Sequence, residues 1–242
     1  MGSKQLDFSK KIKNIYTNTY NNIQNRLWSV FVIGALIGAV LFVALYGIRI
    51  LDFTYTGWIY AQTGQDLVQH QLGFEFFRYA DWQFPIGRHT SYGYPDGISV
   101  VYTDSIPLLA IFFKLFRGIL PANFQYFGLW GIMSFMLQGG LSCAILKKYI
   151  NRLSIIFVAC PFFVYSTGVI FRMYGHTALA GHWIILLAFY ICVYKEKFKS
   201  LKSRIAVWSA LTALCVMVHA YFIVMIGIIM VGFLINDFID YK

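Results

Sequence analysis

Charged residues are scarce in this chain. They make up 12% of its 242 residues, whereas 59% are hydrophobic and 19% are aromatic. An average soluble domain carries about 25% charged residues. The sequence also shows no internal repeat, no low-complexity segment and no soluble domain. These absences exclude an ordinary soluble protein and predict one helical membrane unit, an all-α polytopic membrane protein.

Paired cysteines are missing too. The four cysteines lie singly inside apolar segments and form no C-x-x-C pair, so we predict packing roles for them rather than a disulfide framework. The formal net charge is +10, but no stripe of Lys and Arg with interleaved aromatic residues is present. The basic residues flank apolar segments instead, which predicts a membrane topology and no nucleic-acid partner.

The first long apolar run covers residues 28–48 and contains no charge. About 20 apolar residues in a helix cross the hydrocarbon core of a bilayer. A cleaved signal peptide is the alternative, but its apolar region is typically about 7–15 residues long and follows a short basic stretch. Here 27 mostly polar residues come first. We therefore predict a basic tail over 1–27 and an uncleaved first transmembrane helix over 28–50, within a membrane domain over 28–242.

Charge then predicts the orientation. The basic residues before the first helix place its start in the cytoplasm; they are Lys4, Lys10, Lys11, Lys13 and Arg26. Residues 51–104 hold six of the ten acidic residues and only two of the twenty Lys and Arg residues, so we predict a periplasmic or extracellular loop there. The basic run over 195–204 should again be cytoplasmic.

Five apolar segments lie between the two predicted cytoplasmic ends, although an even number of crossings is required. After 28–48 they are 105–120, 126–146, 153–170 and 178–194. Segment 105–120 is short and contains Lys114 and Arg117, so we predict that it forms a re-entrant or interfacial helix. The alternative is that the bias of positive charge towards the cytoplasm is broken once. The last apolar stretch, 205–235, is either one tilted helix or two short helices bent near VHAYF. Together these segments form the remaining membrane part, 105–235.

The outer loop contains an amphipathic pattern. If residues 64–80 are helical, Asp66, His70, Gly73 and Phe77 share one face, and apolar side chains cover another. We expect this helix to lie on the outer membrane surface. Residues 84–109, rich in Gly, Pro and Tyr, should form an ordered loop full of turns.

Each candidate residue also has a plain structural explanation. Asp66 is explained equally as a helix cap or a solvated acid, and the Asp66–His70 pair as half of a metal site that lacks a third ligand. His176 and His182 fit the role of interfacial residues. Arg172 and His219 are costlier to place near lipid, which favours a functional role.

Several longer motifs, taken together, resemble a known group of enzymes. They are D-x-x-Q-H-x-x-G-F-x-F-F-R at 66–78, W-x-F-P-I-G at 82–87, G-Y-P-D-G-I-S at 93–99, Y-T-D-S-I-P-L at 102–108 and G-H-T-A-L-x-x-H-W at 175–183. This pattern, over about residues 50–222, is similar to an uncharacterised bacterial membrane family of the GT-C glycosyltransferase clan. Protein O-mannosyltransferases and aminoarabinose transferases belong to the same clan.

The resemblance implies a GT-C-like transmembrane helix bundle whose first outer loop carries an amphipathic interfacial helix. It implies transfer of a sugar, with inversion, from a polyprenyl-phosphate donor to a hydroxyl of a cell-envelope glycan or protein, at the outer face of a bacterial inner membrane. Asp66 would be the catalytic base. His70 and Asp104 would orient the acceptor or hold a divalent cation, and a reaction without a metal is an equal alternative. Arg172, His176, His182 and His219 would bind the donor phosphate.

The resemblance has departures. The D-E and E-K-P-P-L motifs of the better-known relatives are absent from this sequence. The chain is also shorter than the family it resembles, so we expect an N-terminal part or catalytic module. The alternatives are a non-catalytic scaffold, half of a transporter, or an inactive remnant of such an enzyme.

Overall fold

The computed structural model describes residues 26–61 and 66–241, and it is mainly helical. Residues 1–25, which contain nearly all of the predicted cytoplasmic tail, lie outside the described residues. The helices are α1 (Leu27–Tyr46), α2 (Gly57–Tyr60), α3 (Asp66–Tyr79), α4 (Pro107–Lys114), α5 (Phe127–Lys147), α6 (Leu153–Val164), α7 (Thr167–Arg172), α8 (Trp183–Val193), α9 (Leu201–Val218) and α10 (Tyr221–Tyr241). Short 3₁₀ turns cover Ile48–Leu51, Thr177–Ala180 and Lys195–Lys197. Strands β1 (Arg88–His89) and β2 (Ile98–Ser99) form a small antiparallel ribbon in the outer loop, which an all-α prediction did not include.

Four of these helices, α1, α5, α9 and α10, are long and apolar enough to cross a membrane. A helix rises 1.5 Å per residue, so the 20 residues of α1 extend about 30 Å, the thickness of a hydrocarbon core. The prediction of a helical membrane protein is thus confirmed at this level, and α1 agrees closely with the predicted first span.

Helices α1 and α5 pack closely because small residues face each other. A Cβ atom at Gly34 would lie 2.5 Å from the carbonyl oxygen of Gly139, and one at Gly38 would lie 2.1 Å from that of Phe135. Small residues four apart allow this close backbone approach in membrane helices. The two helices therefore form the centre of the bundle, with α6 and α8 packed against α5.

One end of the bundle gathers the basic segments. Lys148 Nζ lies 2.6 Å from Glu196 Oε1, which joins the end of α5 to the turn after α8. The start of α1 lies there too, because Leu27 and Trp28 line one cavity together with Lys197. The start of α1, the end of α5 and the turn after α8 thus meet at one end, as an even number of crossings between them requires. Which face of the membrane this end occupies stays a prediction.

The opposite end gathers the acidic loop. The Tyr46 hydroxyl, at the end of α1, donates to the carbonyl of Ile170 at 3.0 Å. Helices α9 and α10 form a hairpin whose turn, at His219, lies beside Asp104. Its other end is joined by an ion pair between Arg204 and Asp237. The acidic loop and the segment over 171–183 therefore share one end, which we name the site end.

Two predicted spans differ from the structure. Residues 153–170 are divided into α6 and α7, and the 12 residues of α6 are fewer than a full span needs. Ser166 is extended, with φ −60° and ψ 135°, and Pro161 inside α6 has no backbone N–H to donate. Segment 178–194 forms a 3₁₀ turn and then α8, an apolar stretch of 17 residues over Thr177–Val193. The break inside 153–170 is not visible in the hydropathy alone, because apolar residues lie on both sides of it.

Segment 105–120 contains only the eight-residue helix α4, too short to cross a bilayer. The chain leaves the site end at Asp104 and returns to it at Gln125, whose backbone N–H donates to the carbonyl of Phe53 at 2.8 Å. This path agrees with the expectation that the segment does not span.

Both basic side chains of this segment are bound at the end of α3. Arg117 donates to the carbonyl of Ala80 at 2.9 Å, and buried Lys114 lies 4.0 Å above the ring of Phe77. Burial lowers the pKa of Lys114 to about 8, with a further lowering from Arg117 and an opposing effect from Asp81. The charges that made this segment a poor span are therefore held by the outer loop.

The last apolar stretch forms two helices, broken at His219 within the predicted VHAYF bend. His219 is extended, with φ −163° and ψ 128°. Of the two alternatives for 205–235, a bent pair is present, but each helix is long enough to span rather than short.

Candidate functional site

Helix α3 is packed against the protein through the face that carries the candidate residues. His70, Phe74 and Phe77 are buried, whereas the apolar side chains of Phe76 and Tyr79 are exposed. The helix predicted over 64–80 is thus present over 66–79, and its Asp66–His70 face lies inward; residues 64 and 65 lie outside the described residues. An exposed apolar face suits a helix at a membrane surface, which stays a prediction.

The segment after the β-ribbon approaches α3 very closely. A Cβ atom at Gly73 would lie 2.3 Å from Thr103 Cβ, so only glycine fits there without displacement of this segment. Ser105 Oγ donates to the backbone carbonyl of His70 at 2.7 Å and lies 2.8 Å from Thr103 Oγ1. These contacts explain the pattern of the 66–78 and 102–108 motifs, because they place Asp104 beside His70.

Asp104 itself lies on a constrained turn. Asp104 and Ile106 both have φ of 52°, a left-handed conformation that is uncommon for a β-branched residue such as isoleucine. The hydroxyl of Tyr126 donates to the carbonyl of Ser105, between these two residues. Strained backbone persists where surrounding contacts hold it, and it is often found at functional sites. Tyr126 was not among the predicted site residues, since its role depends on a contact 21 residues away in sequence.

Two carboxylates at the site end pair with histidines from distant segments. Asp66 Oδ2 lies 2.9 Å from His176 Nε2, and Asp104 Oδ1 lies 3.1 Å from His219 Nε2. The Nδ1 atom of His219 accepts a hydrogen bond from the backbone N–H of Tyr221 at 3.2 Å. The proton of neutral His219 must therefore be on Nε2, which donates it to Asp104.

His70 lies at the centre of these pairs. One potential ligand atom each from His70, Asp104 and His176 lies within 4.8 Å of the others. The Nδ1 atoms of His70 and His176 are buried, and neither has a hydrogen-bond partner within residues 26–61 and 66–241. Five of the seven predicted site residues are thus in one cluster, which we name the His–Asp cluster: Asp66, His70, Asp104, His176 and His219.

The electrostatics of the cluster favour neutral His70 and charged Asp104. Burial lowers the pKa of His70 to about 4, although both carboxylates oppose this shift. Burial acts to raise the pKa of Asp104, but the hydrogen bond from His219 and the nearby histidines lower it overall. Neutral imidazole and ionised carboxylate are the forms that donate electron pairs to a metal ion.

Arg172 and His182 lie beside the cluster rather than in it. Arg172 lines a cavity of about 640 Å³ together with Phe171, Tyr174 and Gly175, immediately before His176 in the chain. His182 packs near Gly168, which lines the same cavity, and its ring lies 6.4 Å from that of Phe222. The seven predicted residues therefore form two neighbouring groups.

Comparison with known protein families gives a match over most of the chain. Residues 35–242 match the family described as "Domain of unknown function (DUF6311)". No curated protein and no solved structure matches the chain. Since the match covers far more than half of the chain, this protein belongs to the DUF6311 family.

Proposed function

We propose that this protein is a GT-C-type membrane glycosyltransferase, or the N-terminal catalytic module of one. It would transfer a sugar from a polyprenyl-phosphate donor to an acceptor hydroxyl, with inversion at the anomeric carbon. The observation that carries the proposal is the His–Asp cluster, which lies at one end of an apolar helix bundle. A substrate with a polar head and a long lipid tail needs both environments at one place.

Asp66 is the proposed base. One of its carboxylate oxygens is bound by His176, while the side chain remains 46% exposed. An acceptor hydroxyl can therefore reach the carboxylate, which would take the proton as the hydroxyl oxygen attacks the anomeric carbon. The bond from that carbon to the phosphate oxygen would break, and polyprenyl phosphate would leave with the electron pair. His176 would hold the carboxylate in position and stabilise its charge until the proton arrives.

The donor phosphate is assigned to the cavity at Arg172. The guanidinium group is suited to bind phosphate oxygens with two parallel hydrogen bonds. Exposed Phe171, in the same cavity, offers apolar contact to the first part of a lipid chain. Because His176 and His219 are paired with carboxylates, we now assign the phosphate to Arg172 and His182.

The proposed partners and location follow from the substrate. The donor would arrive through the bilayer, and the acceptor would be a cell-envelope glycan or protein. The site end would face the periplasm or the exterior of a bacterial inner membrane, as the charge bias predicts.

The test is sugar transfer by the purified full chain in lipid nanodiscs, with a panel of radiolabelled polyprenyl-phosphate sugars. Wild-type protein should transfer label, and Asp66→Asn should reduce the rate by about 100-fold or more, the usual range for loss of a general base. Asp96→Asn, which changes an exposed acid of the same loop, is the matched control. Full activity of Asp66→Asn would remove Asp66 as the base. Absence of transfer from every donor would reject the proposed reaction for this chain.

A further inference from the structure

The His–Asp cluster has the composition of a metal site. His70 and His176 offer nitrogen ligands and Asp104 offers oxygen, from three separate segments of the chain. Two imidazoles and one carboxylate are a common ligand set for Zn²⁺ and related divalent transition metals. We propose that His70, His176 and Asp104 bind one such divalent ion, Zn²⁺ being the best match.

The two unpartnered nitrogens support this proposal. His70 is 1% exposed, and neither its Nδ1 atom nor the buried Nδ1 of His176 has a hydrogen-bond partner among the residues that the structure describes. A buried polar atom without a partner costs free energy. A metal ion bound between these side chains would give a nitrogen atom of each histidine a partner.

The surrounding hydrogen bonds provide a second argument. Metal-binding histidines almost always donate their other ring N–H to a carboxylate or carbonyl, which fixes the tautomer and leaves the remaining nitrogen free for the metal. His176 has this arrangement, since Nε2 pairs with Asp66 and Nδ1 has no partner in the described part of the chain. Asp104 is held in the same way by His219, which is held in turn by the backbone of Tyr221.

The spacing requires only a small contraction. The candidate ligand atoms lie within 4.8 Å of one another. Bonds of about 2.0–2.2 Å to a tetrahedral Zn²⁺ ion place ligand atoms about 3.4 Å apart. Binding would therefore bring the most distant pair of ligand atoms closer by at most about 1.4 Å. Three protein ligands leave a fourth position open, which is typical of catalytic rather than structural zinc.

The open position would give the ion a role in catalysis. This role rests on the proposed function. A donor phosphate oxygen, or the acceptor hydroxyl, could occupy that position beside the Arg172 cavity. The ion site itself stands on the geometry alone, so its test uses no sugar donor.

The experiment is titration of the metal-stripped full chain, in detergent, with Co²⁺ followed by competition with Zn²⁺. The wild-type protein should bind one ion with the visible absorption of a Co²⁺ site of low coordination number. His176→Gln and Asp104→Asn should each lose this spectrum. Asp66→Asn, which keeps all three ligands, should weaken binding by about 10–100-fold, the usual effect of removing an outer partner. Asp96→Asn changes an exposed acid of the same loop, keeps the ligands and should bind Co²⁺ as the wild type does.

Circular dichroism and thermal unfolding without metal separate loss of the site from loss of the fold. If a ligand variant is unfolded, His70→Asn provides a second test of the same site. A folded wild-type chain that binds neither Co²⁺ nor Zn²⁺ would overturn the proposal, and so would unchanged affinity in folded His176→Gln. Metal binding without sugar transfer would leave the site standing and reject only the proposed reaction.

Discussion

Replacement of Gly73 by alanine tests the close approach on which the site depends. The new Cβ atom would lie 2.3 Å from Thr103 Cβ and 2.7 Å from Ser105 Oγ. Ordinary contact begins near 3.4 Å, so the 103–105 segment must move by roughly 1 Å, and Asp104 moves with it. A displacement of that size in an active site costs up to about 100-fold in rate.

The effect on stability has two opposing parts. Alanine is favoured over glycine inside a helix by about 0.8–1 kcal/mol, whereas overpacking a close contact costs about 1–3 kcal/mol. Gly227, in α10, provides the matched control, because a Cβ atom there meets nothing within 4 Å. Gly227→Ala should therefore show the helix gain alone, and Gly73→Ala should be less stable than this control by about 1–3 kcal/mol.

The assay is reversible unfolding in mixed micelles, followed by circular dichroism, with Co²⁺ binding measured on the same samples. Gly73→Ala should lose Co²⁺ affinity, and Gly227→Ala should keep it. If the two variants are equally stable and bind the ion equally well, the 103–105 segment does not approach α3 as described, and the positioning of Asp104 needs another explanation.

Three further predictions concern other parts of the fold. Tyr126→Phe leaves the buried carbonyl of Ser105 without its donor and should lower the unfolding free energy by about 1–3 kcal/mol. Tyr149→Phe, at an exposed position, is the control and should change the unfolding free energy by less than about 0.5 kcal/mol. Burial holds the pKa of Lys114 near 8, below its usual 10.5, so its protonated form destabilises the fold. Thermal stability should therefore rise from about pH 8 towards pH 10.5. An equal rise in Lys114→Met and in the wild type would contradict this. In cells, a membrane-impermeant maleimide should label a cysteine at Tyr94 but not one at Tyr149, and the reverse pattern would invert the predicted topology.

The sequence was informative where the signal is local. A helix needs a certain length and apolar content to cross a bilayer, and both are properties of one continuous segment. The predicted boundaries of α1 and α5 therefore differ from the observed ones by a few residues. The helical spacing of polar and apolar residues likewise predicted the position of α3. The polar residue His219, inside a long apolar stretch, predicted the bend between α9 and α10.

The break inside 153–170 could not be predicted from hydropathy. Tyr165 and Ser166 interrupt the helix through their backbone conformation, while the hydropathy on both sides stays high. The sequence also did not predict which side chains the histidines contact. His219 was assigned to a phosphate, but it lies against Asp104, a residue 115 positions earlier in the sequence.

The sequence by itself determined that the chain is a helical membrane protein, where its long apolar helices lie, and which scarce ionisable residues deserve a functional hypothesis. Composition and periodicity suffice for these conclusions, because each depends on the local environment of one segment. Only the tertiary structure decided that Asp66 pairs with His176, that Asp104 pairs with His219, and that His70 lies between them. These pairings depend on how α3, the 103–105 turn and the α9–α10 hairpin pack at one end of the bundle, and no local pattern encodes the distance between side chains on separate segments.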